Sequence, residues 1–317
     1  MDETPERLAH QIAVAGELHS VVRTMKALAA ANIGQYEQAV RSLQEYDGSV
    51  QLGLAACLRE LPGFAGATVG SAASVGSGAS AGSAGSAGSA AGSLRSSSCG
   101  LVIFGSDQGL VGQFNTTLME FVRSRLPSPA ERNSCWLIGE RLYSEWEMPE
   151  ISVNDHYSVP LAVSGITPLI RDLLRGIDRR RIGGAAGDVY VIHQRPVGQS
   201  GYEPVIQQLL PLSAAWAEAL SPLRWPGGRR PELIGGAALN GPRLIREYLF
   251  VSLYRACAES LASENAARLA AMQHAEKNID EMQDRLIHTY QRLRQETIDE
   301  ELFDVVFGSE ALQKNSG

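Results

Sequence analysis

The sequence predicts an α/β domain inserted between two long helices that pair as an antiparallel coiled coil. Three observations predict it. Apolar residues recur at alternating spacings of four and three through residues 18–46, and every seven residues through 272–293. Between these segments, short apolar runs ending in turn residues alternate with helical patterns, the order expected of a mainly parallel sheet covered by helices. A Gly/Ser/Ala stretch, Phe64–Ser98, separates the first helix from everything after it.

The first helix is expected from Thr4 to Leu61. Thr4 suits the N-cap, Pro5 the first helical position, and Glu6 favours the helix dipole. Pro62-Gly63 is a stop signal. Its seam reads Leu18, Val22, Met25, Ala29, Asn32, Tyr36, Ala39, Leu43 and Tyr46, four heptads weakened locally by Gly34 and Gly48. Residues 64–98 hold 8 Gly, 11 Ser and 10 Ala with Arg95 as the one charge. That composition buries too little to offset its ordering entropy, so the stretch reads as a disordered linker.

Period-two and buried-strand signals follow. Strands are expected at Gly100–Asp107, Cys135–Gly139, Asp188–Arg195 and Val205–Leu212, with helices at about 112–125 and Thr167–Ile182. In the latter, Leu169, Ile170, Leu173, Leu174 and Ile177 set the apolar face. A Gly/Pro-rich passage, Pro222–Pro242, ends this part. From Arg243 to Val306 no glycine or proline interrupts the chain. Met272, Ile279, Leu286 and Leu293 form its seam with Ala275 and Met282, and the pattern decays at Thr289 and Glu296. A helix of about 95 Å, at about 1.5 Å per residue, needs a partner, and the first helix has the matching length. The expected organisation is therefore residues 1–63 coiled-coil helix, 64–98 linker, 99–241 α/β domain and 242–317 coiled-coil helix.

Composition narrows the function. With 317 residues, 44% of them hydrophobic, the chain has enough core to fold as one large or two modest domains. No apolar run approaches the ~20 residues of a membrane span. MDETPER contains no apolar h-region, so no signal peptide is expected. A net charge of −7 argues against a nucleic-acid binder. Cys57, Cys99, Cys135 and Cys257 lie far apart without a CxxC, which suggests a reduced cytosolic compartment and no zinc site. The six histidines form no HxxxH or HExxH pattern, and no GxSxG elbow occurs.

Three segments carry possible chemistry. FGSDQGLVGQFN, Phe104–Asn115, leaves a strand and enters a helix, where backbone N–H groups can meet a phosphate. It matches neither GxGxxG nor a Walker A loop, so the plainer reading is a structural turn using Asp107, Gly109, Gly112 and Asn115, with Gly109 and Gly112 taking unusual backbone angles. A nucleotide-binding α/β protein with coiled-coil extensions is the alternative reading. Arg179-Arg180-Arg181, at a helix C-terminus, reads as a structural or solvating run rather than a phosphate-binding one. Arg294–Asp304 lies where the seam fades, and the apolar residues Leu302, Phe303, Val305, Val306 and Phe307 follow or end it. Apolar surface at such a tip points to insertion into another protein.

Both ends resemble the gamma subunit of the rotary, F-type ATP synthases. At the C-terminus the resemblance rests on SENAARLAAM and on the frame of Tyr290, Arg292, Arg294, Gln295, Ile298, Glu301 and Leu302. At the N-terminus VVRTMKALAAANIGQYEQA resembles that family's first helix, and SDQGLVGQFN its SDRGLCGGLN turn. Between Asn133 and Gly241 the likeness is architectural. The chain departs from the family in Asn32, Gly34 and Gln35, in Asp299 where threonine is common, and in the 64–98 insertion.

The resemblance implies a central-stalk rotor that couples ion flow to ATP synthesis or hydrolysis at catalytic beta subunits. It implies no catalytic residues, cofactor or metal in this chain. The implied partners are the alpha and beta subunits, the epsilon subunit and the c-subunit ring, with membrane contact only through the complex. The implied location is peripheral, at the cytoplasmic face of the bacterial inner membrane. Met25, Arg268, Arg294, Gln295 and Glu301 match ring-contacting positions, and Leu302, Val305 and Val306 would turn in an apolar sleeve. The coupled ion, H⁺ or Na⁺, stays open.

Overall fold

The computed structural model describes residues 4–60, 99–125, 133–182, 188–198, 201–225, 227–228 and 231–314. The proposed linker 64–98 and the Pro62-Gly63 stop lie outside the described residues. The elements run α1 (Pro5–Glu60), β1 (Cys99–Phe104), α2 (Phe114–Arg125), β2 (Ser134–Ile138), α3 (Glu140–Ser144), β3 (Ser152–Tyr157), α4 (Val163–Ile182), β4 (Asp188–Val197), β5 (Gly201–Leu210), α5 (Ala214–Leu220) and α6 (Gly236–Lys314). The fold is the expected one: two long terminal helices and an inserted α/β domain. The chain divides into two compact units, residues 1–30 with 268–317, and residues 31–267.

The larger unit is built on a five-stranded sheet of order β3-β2-β1-β4-β5, parallel except for the antiparallel β4–β5 pair. β1 and β2 are buried at every residue, as continuous apolar runs covered on both faces must be. Alternation sorts their side chains into two layers. Val102, Phe104, Trp136 and Ile138 face a core shared with α4, α6 and α1. Leu101, Ile103, Cys135 and Leu137 join a second core with α2 and α3. All five residues that set the expected face of α4 are buried in the first core.

Boundaries moved where local rules compete. α4 begins at Val163, one turn before the expected Thr167, and carries Pro168 inside it. α6 begins at Gly236 rather than near Arg243, with Pro242 inside. Both prolines lie within the first two turns of their helices, where losing one backbone N–H is tolerated more easily than mid-helix. β3 (SVNDHY), α3 and α5 are additions to the expected elements. β3 is an edge strand whose residues are all exposed or half-buried, so it offers no apolar run to read.

Within this unit α1 and α6 run antiparallel. Asn32 Nδ2 donates to Asn265 Oδ1 (3.4 Å), Arg255 pairs with Asp47, and the Leu244 side chain fills the space at Gly53. From Leu249 to Ala267 nearly every residue of α6 is buried. Such a helix, enclosed on all sides, shows no single apolar stripe.

In the smaller unit, Thr4 caps α1 as expected, its Oγ1 accepting from Arg7 N at 3.4 Å. His19 Nε2 lies 3.3 Å from Asp280 Oδ1, Lys26 pairs with Glu276, and Gly16 faces Gln283. These pairs again set an antiparallel register. The buried and half-buried residues of α1 in this unit are Leu8, Ile12, Ala15, His19, Val22, Lys26 and Ala29, a strict alternation of four and three, with Pro5 and Met25 also half-buried beside it. The expected seam was therefore right at Val22 and Ala29 and misplaced at its first member, since Leu18 is exposed. In the larger unit Tyr46 is likewise exposed and Asp47 takes the buried place. His19 and Asp47 are seam residues with charged partners on α6, so a search for apolar residues passes over them. On α6 the expected Met272, Ala275, Ile279, Leu286 and Leu293 are buried or half-buried, while Met282 is exposed and Gln283 takes its place.

Candidate partner surface

The structure puts all eight expected partner contacts, Met25, Arg268, Arg294, Gln295, Glu301, Leu302, Val305 and Val306, in the smaller unit. Met25 and Arg268 are half-buried beside the seam. From Arg294 to Val306 every residue whose side chain is described is exposed. The register explains why. Carried along the pair, it exhausts the described part of α1 near Leu293, so α6 continues with no helix of the described residues opposite. Ile298, Leu302, Phe303, Val305 and Val306 then form an exposed apolar row, with Leu302 at 60% and Val305 at 72% of full exposure. Rimmed by Arg294, Gln295, Glu300 and Glu301, this surface has the makeup of a protein-binding site.

The expected turn is a tightly bonded knot. Asp107 Oδ1 accepts from the backbone N–H of Glu140 and of Val159, both at 2.9 Å. Asn115 Oδ1 accepts from Ser106 N (3.1 Å) and Ser106 Oγ (3.2 Å), and its Nδ2 donates to Glu145 Oε2 (3.4 Å). Gly112 has φ 60°, as expected, but Gly109 is not in the left-handed region. Leu110 is, at φ 63°. A Cβ at Gly109 would stand 2.7 Å from Arg141 Nη1, the far end of a flexible side chain that can move aside. The sequence also gave no hint of Gly139, at φ 124°, where a Cβ would meet Ser106 O at 2.7 Å. Asp107 is thus a structural acceptor that ties the turn to the start of α3 and to the segment before α4.

Beside this knot lies a buried polar layer missed at the sequence level. Ser260 Oγ donates to Phe104 O (3.4 Å), Ser263 Oγ to Gln194 O (3.0 Å), and Gln194 Nε2 to Phe114 O (3.1 Å). His193 Nε2 is 2.9 Å from Glu259 Oε2. These contacts bond α6 to the end of β1 and to β4, and β4 to the start of α2. The available signal was Ser260, Ser263, Glu264 and Asn265, a polar cluster inside an otherwise apolar helix. All four cysteines are free and buried. Burial pushes the thiols of Cys99 and Cys135 up to about 11 and about 12, so neither is a thiolate near neutrality.

A sheet body clamped to one long helix, with a second helix from the other chain end beside it and a bare apolar tip, defines the central-stalk class of fold. A family model described as ATP synthase matches residues 4–312. The chain belongs to the ATP synthase gamma-chain family. The gamma chain of Syntrophus aciditrophicus is 31% identical over 223 residues, covering 68% of this chain and 73% of that one. The gamma chain of Buchnera aphidicola is 28% identical over 224 residues, covering 67% and 73%. Among solved structures, a chain of the Euglena gracilis mitochondrial ATP synthase superposes with a TM-score of 0.61 at 14% identity, covering 99% of this chain and 96% of that one. At that identity the likeness is one of fold. No helix among the described residues is long and apolar enough to cross a membrane.

Proposed function

We propose that this chain is the non-catalytic rotor of a bacterial ATP synthase, held peripherally at the cytoplasmic face of the inner membrane. It couples ion flow through a c-subunit ring to chemistry at beta subunits. The observation that carries this reading is the exposed apolar row of Ile298, Leu302 and Val305 on α6. In this reading the row turns inside the alpha–beta ring, and Met25, Arg268, Arg294, Gln295 and Glu301 meet the ring along its length. The epsilon subunit and c-ring contact the body. The clamp from Ser260 and Ser263 to the strand ends makes body and helix turn together.

The test is co-expression with alpha and beta subunits. An ATPase-active complex containing this chain is expected. In the complete synthase with its membrane sector, the triple substitution Ile298→Ser, Leu302→Ser, Val305→Ser should leave the complex assembled and lower ion pumping per ATP hydrolysed severalfold. Stable alpha–beta hexamers that never retain the chain would overturn the reading.

A further inference from the structure

The cleft between α4 and α6 in the larger unit is unlike the rest of this acidic protein. Its volume is about 440 Å³, and its walls include Arg171, Arg175, Arg246, Glu247, Tyr46 and Phe250. Three guanidinium groups thus face one cavity in a chain of net charge −7. The sequence explains the convergence. Arg171 and Arg175 are one helical turn apart on α4, on one exposed face. Arg246 and Phe250 have the same spacing on α6.

The cations are only weakly satisfied. Arg175 Nη1 meets Asp172 Oδ1 at 2.5 Å and Arg246 Nη1 meets Asp178 Oδ2 at 3.2 Å, but all four side chains are more than two-fifths exposed. Pairs of this kind are weak in water and readily exchanged. Arg171 makes no ion pair or hydrogen bond among the described residues. The one carboxylate in the wall, Glu247, already accepts from the Tyr46 hydroxyl at 2.8 Å, a bond that raises the tyrosine pKa.

We propose that this cleft is an anion site that takes a phosphate group. Guanidinium forks match phosphate oxygens two at a time, and three forks around one concave space can neutralise a dianion that no single exposed arginine would hold. Phosphate displaces Asp172 and Asp178 from their arginines and leaves both carboxylates solvated. The apolar side, Leu174 and Phe250 with the Tyr46 ring, leaves room for a flat group attached to the phosphate. The phosphate is either free or carried by a nucleotide, and both share the same recognition chemistry. This site is separate from the tip and does not depend on the rotor reading.

Calorimetric titration of the full-length chain at low salt, with pyrophosphate as the first probe, tests it. Saturable binding is expected, weakened at least about tenfold by Arg171→Ala with Arg246→Ala and less by the two lysine substitutions, which keep charge but lose the fork. Arg285→Ala, remote on α6, should bind as the parent does, and unchanged circular dichroism of the cleft variants shows that they fold. Inorganic phosphate, ADP and ATP then separate the sources: equal affinities assign a free-phosphate site, and tighter nucleotide binding assigns the ring to the Phe250 side. Absence of saturable pyrophosphate binding at millimolar concentration, or equal binding by the alanine variant, would overturn the proposal.

Discussion

One helix, α6, lives in two environments. From Leu249 to Ala267 it is buried on nearly every side by the sheet, α1 and α4. From Arg268 onward it buries one face, and from Arg294 to Val306 every residue whose side chain is described is exposed. The difference teaches where each part gets its stability. The first stretch is held by apolar burial and by hydrogen bonds that water cannot reach. The second rests on a narrow seam and on exposed charge pairs such as Lys277–Glu281 and Arg292–Glu296, each a weak contributor. A region so lightly held by its own chain is the region expected to gain most from a partner.

Core truncation breaks the comparison most sharply. Leu253 is fully buried in the first core. Leu253→Ala should cost about 2–5 kcal/mol through lost transfer energy and the cavity left behind. Leu293→Ala, half-buried at the end of the seam, should cost at most about 1 kcal/mol, since little of its surface leaves water on folding. Urea midpoints of the two variants check this. Equal losses would show that the two environments are energetically alike.

The polar contacts sharpen it next. Asn115 is buried and holds both Ser106 N and Ser106 Oγ. Asn115→Ala strands those donors and should cost about 1–3 kcal/mol. Thr297→Ala removes an exposed bond to Leu293 O (2.9 Å) whose groups water can satisfy, and should shift stability by less than about 0.5 kcal/mol. Thermal melts of the two variants supply the contrast.

These contrasts track how much could be read from the sequence. Fully buried strands announced themselves because β1 and β2 are continuous apolar runs, and α4 because its five apolar residues share one face. The Thr4 cap and the fading of the seam after Leu293 were legible for the same reason: each is a local rule with a local residue signal. What escaped was set by partners distant in sequence. His19 and Asp47 hold seam places through charges on α6. Gln194 and Ser263 look like ordinary polar residues until the fold brings β4 against α6. Gly139 shows its necessity only once Ser106 O lies beside it. The bare tip was legible as a loss of pattern, because absence of a stripe on a known helix is itself a pattern.

The smallest expected effect lies in the lightly held region, and its sign can be fixed. Lys26 donates to Glu276 and, with His19 and Arg23 nearby, holds the Glu276 carboxyl below its ordinary range. A lowered folded-state pKa means the folded chain binds the proton less readily than the unfolded chain. The contribution is therefore fully present above the ordinary glutamate pKa and is lost as pH falls through the lower folded value. Glu276→Gln should lower the melting temperature slightly at pH 7, and its gap from the parent should close as the pH falls below about 4, where the parent's carboxyl also takes up a proton. A gap that stays constant with pH would mean that the pair holds the helices by shape rather than charge. In that case the smaller unit would resemble the larger one more than its exposure suggests.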